Sequence, residues 1–147
     1  MIISMTLSAN KLLRQLTYFG TILLAGCANF NASECAAVAS YIVPDEQQDL
    51  FPVMITHIDG EPVIAKAYYV LTPGVYKVTV AELVSAPSLQ VALKYRLPKT
   101  IEVNVLGGSR YHLAAWFDSK MHQPAESDNF WQPIMWKKES FSCELNT

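Results

Sequence analysis

"TIEVNVLGGSRYHLAAWF", residues 100–117, decides the fold class. Ile101, Val103 and Val105 point one way and Glu102 and Asn104 the other, the two-residue period of a strand buried on one face. Gly107-Gly108 supplies the positive backbone dihedrals of a tight turn, so a hairpin is predicted there. Beyond the turn, Tyr111, Leu113, Ala115 and Phe117 share the inward face, which leaves His112 on the outward one.

The same grammar extends in both directions. "VMITHI" runs into Asp59-Gly60, a strong hairpin signal, and "VIAKAYYVL" runs to Thr72-Pro73-Gly74, where Pro sets the first turn dihedral and Gly takes the positive one. "VYKVTVAEL" ends at the breaker "SAPS". "LQVALKYR" alternates, with Leu89, Val91, Leu93 and Tyr95 against Gln90, Lys94 and Arg96. Upstream, "AAVASYIV" (36–43) opens a strand or a helical turn, and "PDEQQDLFP" (44–52) suits one helical turn ended by Pro52. Downstream, the polar stretch 118–129 precedes "FWQPIMWKKESFSCEL", one or two further strands. Short strands, hairpin-length connections and almost no helical periodicity predict an all-β fold, an antiparallel β-sandwich of about seven to eight strands.

At 147 residues the chain holds one domain plus a processing segment. Lys11 and Arg14 are the only charges in the first 26 residues, and "LTYFGTILLAG" (16–26) carries none. A basic region followed by an apolar run shorter than the roughly 20 residues of a membrane span has the form of a helical secretory signal. The eleven Lys and Arg are scattered and the net charge is −2, which leaves no basic footprint for nucleic acid.

The four residues that close the apolar run give the signal its type. Leu24-Ala25-Gly26-Cys27 resembles the lipobox of bacterial lipoproteins. The resemblance implies that residues 1–26 are removed as a signal peptide and that Cys27 becomes the acylated first residue, holding the chain to the membrane. It also implies, from Ala28 rather than an aspartate after the cysteine, export to the periplasmic side of the outer membrane. Residues 27–35 then form a lipidated tether and 36–147 the β-sandwich domain. With Cys27 committed to lipid, Cys35 and Cys143 remain as a pair in an oxidising compartment, where a disulfide is their expected state.

A second resemblance is local. "ITHIDG" followed by "YYVLTPGVYKVTVAEL" looks like the hairpin of PEGA-like and transthyretin-like bacterial surface modules, and "IEVNVLGGSRYHLAAWF" resembles the next hairpin of such folds. It implies a small binding or structural module and brings no catalytic residues with it.

The residues themselves point away from chemistry. No GxSxG occurs, and Gly107-Gly108-Ser109 has the composition of an oxyanion loop only because a turn needs the same glycines. His57 and His112 read as exposed strand residues. Asp118, His122 and Glu126 are spaced four apart like ligands on a helix, but Pro124 breaks the helix that would give the spacing meaning. No catalytic residue, metal site or cofactor is therefore assigned. Trp116, Phe130, Trp131 and Trp136 bracket the polar loop, which is longer than the roughly two to five residues usual in hairpins. Core packing is the commoner fate of any one of these rings, and together they form the candidate surface for an envelope-protein or cell-wall partner. The expected function is a non-enzymatic, lipid-anchored binding or structural module, the alternative being a small ligand carrier or hydrolase of the envelope with a tryptophan-lined pocket.

Overall fold

The computed structural model describes residues 35–118 and 127–143. The expected signal peptide, Cys27, nearly all of the tether, and His122 and Glu126 lie outside the described residues. Nine strands among the described residues form two sheets: β1 (Ala36–Ala39), β2 (Leu50–Phe51), β3 (Val53–Ile58), β4 (Glu61–Pro62), β5 (Tyr68–Leu71), β6 (Gly74–Glu82), β7 (Lys99–Val105), β8 (Ser109–Trp116) and β9 (Gln132–Ser140). One sheet places β8 between β9 and the pair β1 and β2, with β5 beyond β1; the other has the order β4-β3-β6-β7. These strands pair antiparallel except β1 on β8, which is parallel.

The core lies between the sheets. Val38, Tyr111, Leu113 and Ala115 enter it from one side and Val53, Ile55, Val78, Val80, Val103 and Val105 from the other. The inward positions expected on β7 and β8 are therefore the core positions, because a period of two fixes which side chains share a face.

Turn chemistry holds at the first hairpin. Asp59 (φ 51°) and Gly60 (φ 83°) take the left-handed conformations of a two-residue turn, and Asp59 Oδ1 accepts from Lys77 N at 2.8 Å. A Cβ at Gly60 would meet nothing within 4 Å, so the only cost of adding one is the backbone conformation. Gly60→Ala is accordingly expected to lose about 1 kcal/mol, measured by urea unfolding.

Two other expected turns are crossings between sheets. Thr72-Pro73-Gly74 carries the chain from β5 to β6, which lie in different sheets, and Gly74 begins β6 without a positive φ. Gly107-Gly108 leads from β7 to β8, again in different sheets. Gly108 does take φ 72°, its N–H donates to Cys35 O at 2.7 Å, and its carbonyl accepts from Phe141 N at 2.9 Å. Those bonds hold the crossing against both segments that carry the remaining cysteines, and Cys35 and Cys143 are joined as a disulfide across 108 positions.

"LQVALKYR" is not a strand. Its backbone bonds are local, Leu89 N to Ala86 O, Tyr95 N to Ala92 O and Arg96 N to Leu93 O, and Leu93–Tyr95 form a 3₁₀ turn. Val91 is buried and Leu89 and Tyr95 pack against the core, but Leu93 is 81% exposed, so the alternation is an accident of a loop that crosses the core. The strand expected over 63–71 is shortened to β5 because the buried Tyr69 hydroxyl donates to Ile64 O (2.8 Å) and accepts from Lys66 N (3.2 Å). The segment 36–43 opens as a strand, and the expected helical turn is a 3₁₀ turn at Glu46–Gln48 capped by Asp45. It ends at Asp49 (φ 59°), before Pro52.

Candidate functional site

Two features stand out from the sandwich, and Tyr68 belongs to both. The first is a charged and aromatic cluster on the outward face of β8 and β9. Strand periodicity puts Arg110 and His112 on that face, and register sets Arg110 opposite Glu139 and His112 opposite Lys137. Between His112 and Leu113 the register slips, leaving Trp136 as an extra residue on β9. Such a bulge re-aims a side chain, and the Trp136 ring lies 6.5 Å edge-on from His112. Tyr41, just past β1, stands 5.3 Å from His112 on another side.

His112 is consequently 0% exposed, which corrects the expectation of a solvent-facing histidine. An ionised carboxylate only accepts, so His112 Nε2 donates to Glu139 Oε1 at 2.9 Å. Arg110 donates to the same oxygen at 3.2 Å and to Tyr41 Oη at 2.7 Å, and Lys137 Nζ lies 3.7 Å from Oε2. The guanidinium carbon sits 4.4 Å from the Phe141 ring, 4.8 Å from Tyr68 and 5.7 Å from Tyr41, within cation–π range of all three. Arg110 Nε, His112 Nδ1 and Trp136 Nε1 are buried with no hydrogen-bond partner among the described residues. A His–Glu dyad can orient a general base, but here the carboxylate holds Nε2 and Nδ1 is buried.

The hydrogen bond from His112, then the positive charges of His112, Lys137 and Arg110, hold the Glu139 carboxyl below the ordinary carboxylate pKa of 4.5. The folded protein thus binds this proton more weakly than the unfolded chain. Stability from the cluster is fully present above the ordinary pKa and is lost as pH falls through the lower folded value. Wild type is therefore expected to exceed Glu139→Gln in urea stability near neutral pH, with the gap closing as the solution is acidified below pH 4.5. A gap that stays constant with pH would contradict the assignment.

The second feature is an open groove of about 550 Å³ lined by Ile58, Lys66, Ala67 and all four residues of β5. β5 is the end strand of its sheet, so no described strand pairs with its edge away from β1. Tyr68 forms part of the groove wall while its ring packs 5.7 Å from Phe141, so groove and cluster share this residue.

The expected aromatic surface divides. Trp116 is 38% exposed and Trp136 half-buried, whereas Phe130 (3%) and Trp131 (1%) belong to the core. Phe130 packs edge-on against Phe117, and Lys99 Nζ caps the Trp131 carbonyl at 3.0 Å while lying over its ring. Phe130 and Trp131 are thus removed from the partner surface, because the sandwich needs large side chains to fill the end where β8 turns toward β9. None of the tryptophans lines the groove. His57 is half-buried, with Nδ1 3.0 Å from Thr56 Oγ1. No three His, Cys, Asp or Glu side chains come together as a metal site among the described residues. No helix among them is long and apolar enough to cross a membrane. Comparisons with protein-family models, with curated proteins and with solved structures find no match.

Proposed function

We propose that the chain is a lipid-anchored, non-enzymatic binding or structural module of the bacterial envelope, held at the periplasmic side of the outer membrane by acylated Cys27. The observation that carries this is the Cys35–Cys143 bond. A disulfide persists in an oxidising compartment, the destination that the N-terminal basic and apolar segments address. It also ties the C-terminal segment to a point eight residues after Cys27. Eight extended residues reach at most about 28 Å, so the domain works close to the bilayer surface. The PEGA-like or transthyretin-like resemblance of 55–83 fits a module of this kind and rests on the sequence alone. A groove of about 550 Å³ exceeds the roughly 300 Å³ that a small ligand needs. Lys66 is the single charged residue among the described lining, and this, with the open form beside a strand edge, favours a partner chain over an enclosed small molecule.

The test is the intact mass of the protein extracted from membranes, with and without reduction and alkylation. The expected mass is that of residues 27–147 plus acyl groups less two hydrogens, with thiols alkylated only after reduction. Absence of acyl groups, or a Cys27→Ser chain that fractionates with membranes as before, overturns the anchor.

A further inference from the structure

We infer that the edge of β5 away from β1, which no described strand pairs, is a docking site for an extended polypeptide segment of a partner protein, added as a further strand and carrying an acidic side chain toward Lys66. The inference rests on the chain being a binding module and is independent of its lipid anchor.

The backbone defines the occupant. β1 and β5 are antiparallel with Ala36 opposite Leu71 and Ala39 opposite Tyr68, and in the same frame Ser40 N donates to Ala67 O at 3.5 Å. Bonded and non-bonded pairs alternate along an antiparallel ladder, so Val38–Tyr69 and Ala36–Leu71 are the bonded pairs. The N–H and C=O groups of Tyr68 and Val70 therefore point away from β1, and both residues line the groove. Cys35 O, which accepts from Gly108 N on the opposite side of β1, fits this phase. Two donors and two acceptors at strand spacing match another extended backbone. The exposed side chains of Tyr68 (40%) and Val70 (56%) offer cross-strand contact to an apolar or β-branched residue.

The other edges carry devices that block such pairing. β2 and β4 are two residues long, and β4 contains Pro62. β7 carries Lys99 and Glu102; β9 carries Pro133, Lys137, Lys138 and the bulge at Trp136. Charge, proline and bulges are how natural sheets discourage edge association. β5, "YYVL", has none of them, and the chain wall held by Tyr69 Oη leaves a trough beside it. Lys66 is the only charged residue among those described in that trough, which selects an acidic side chain in the occupant.

The experiment titrates the purified full chain, ¹⁵N-labelled, with a synthetic peptide of about ten residues alternating valine and threonine around one glutamate. Amide shifts confined to residues 66–71 and neighbouring β1 are expected. N-methylation of alternate peptide amides is expected to weaken binding about tenfold in one phase and to leave it unchanged in the other, since only one phase faces Tyr68 and Val70. Lys66→Glu is expected to weaken the glutamate peptide and to favour a lysine counterpart. Equal effects of both N-methylation phases, shifts centred elsewhere, or no binding at millimolar peptide each overturn the proposal. Concentration-dependent shifts of 66–71 without peptide also overturn it, assigning the edge to a second copy of the chain. The mass measurement stands or falls separately.

Discussion

The Cys35→Ala/Cys143→Ala chain is expected to unfold with about 4 kcal/mol less stability than the oxidised wild type, a drop in Tm on the order of 15 °C. The bond closes a loop of 108 positions, and in the chain-entropy model its contribution grows with the logarithm of loop length, reaching roughly 4.7 kcal/mol near 100 residues. The folded state accommodates the link on its own terms. Cα atoms of the two cysteines are 6.2 Å apart, and the segments carrying them are both hydrogen-bonded to Gly108. Those backbone bonds remain in the double variant, so its native structure should be retained while its unfolded ensemble expands. Urea titrations of wild type with and without reductant, beside the double variant, check this: reduced wild type and variant should coincide. A loss below about 1 kcal/mol would mean that the unfolded chain is already compact enough to keep its ends together.

Alternation in 100–117 reveals which side chains face inward, and Val103, Val105, Tyr111, Leu113, Ala115 and Phe117 are all core residues. It does not reveal which strand is the neighbour. A hairpin within one sheet and a crossing between two sheets both place the inward residues of consecutive strands in the same core, so "NVLGGSR" and "LTPGVY" read alike under either topology. Nor does it separate a strand from a loop that happens to alternate: "LQVALKYR" is irregular because Glu82, a residue before it, captures Arg96 within it. The one parallel pair among the described strands, β1 on β8, joins residues more than 70 positions apart and has no local signal.

The candidate site is less legible for the same physical reason. An outward strand position is exposed unless something covers it, and the covers of His112 come from distant elements, Tyr41 after β1 and Trp136 lifted by a bulge. Arg110 and Glu139, the charged centre, give no signal in the sequence because each is ordinary on a strand exterior; only the β8–β9 register brings them together. Trp131 and Phe130 adjoin a polar loop in sequence, yet both rings are buried in the core, because burial there is set by the sheets that close over them and not by their neighbours in the chain. The groove carries no sequence signature at all, being made by Tyr69 Oη holding back residues 64–66. The cysteine pair, by contrast, is legible by counting, because setting aside Cys27, which the lipobox resemblance assigns to lipid, leaves two.

Arg96→Met is expected to lose about 3 to 5 kcal/mol, and a second change, Glu82→Leu, to restore most of it. The Glu82 side chain is 2% exposed. Its Oε1 pairs with Arg96 Nε, and its Oε2 accepts from Arg96 Nη2 at 2.8 Å and from Val84 N at 2.6 Å. Arg96 Nη2 also donates to Val84 O at 3.1 Å, so one guanidinium closes the whole loop 83–95 onto the end of β6. The fork of Arg matches a carboxylate in two places at once, and hydrogen bonding to Glu82 raises the Arg96 pKa further. Removing the guanidinium leaves a buried carboxylate with one backbone donor, and desolvation then dominates. Removing both charges leaves apolar chains of similar volume with no buried charge, and the remaining cost is that of the Val84 N–H and C=O, which lose these partners. If the attraction within the pair only offsets its desolvation, the double variant should fold near wild-type stability with the 83–98 loop in place. If the double variant is as unstable as the single one, the hydrogen bonds to Val84 hold the loop, and no apolar pair can replace a carboxylate that closes its own backbone.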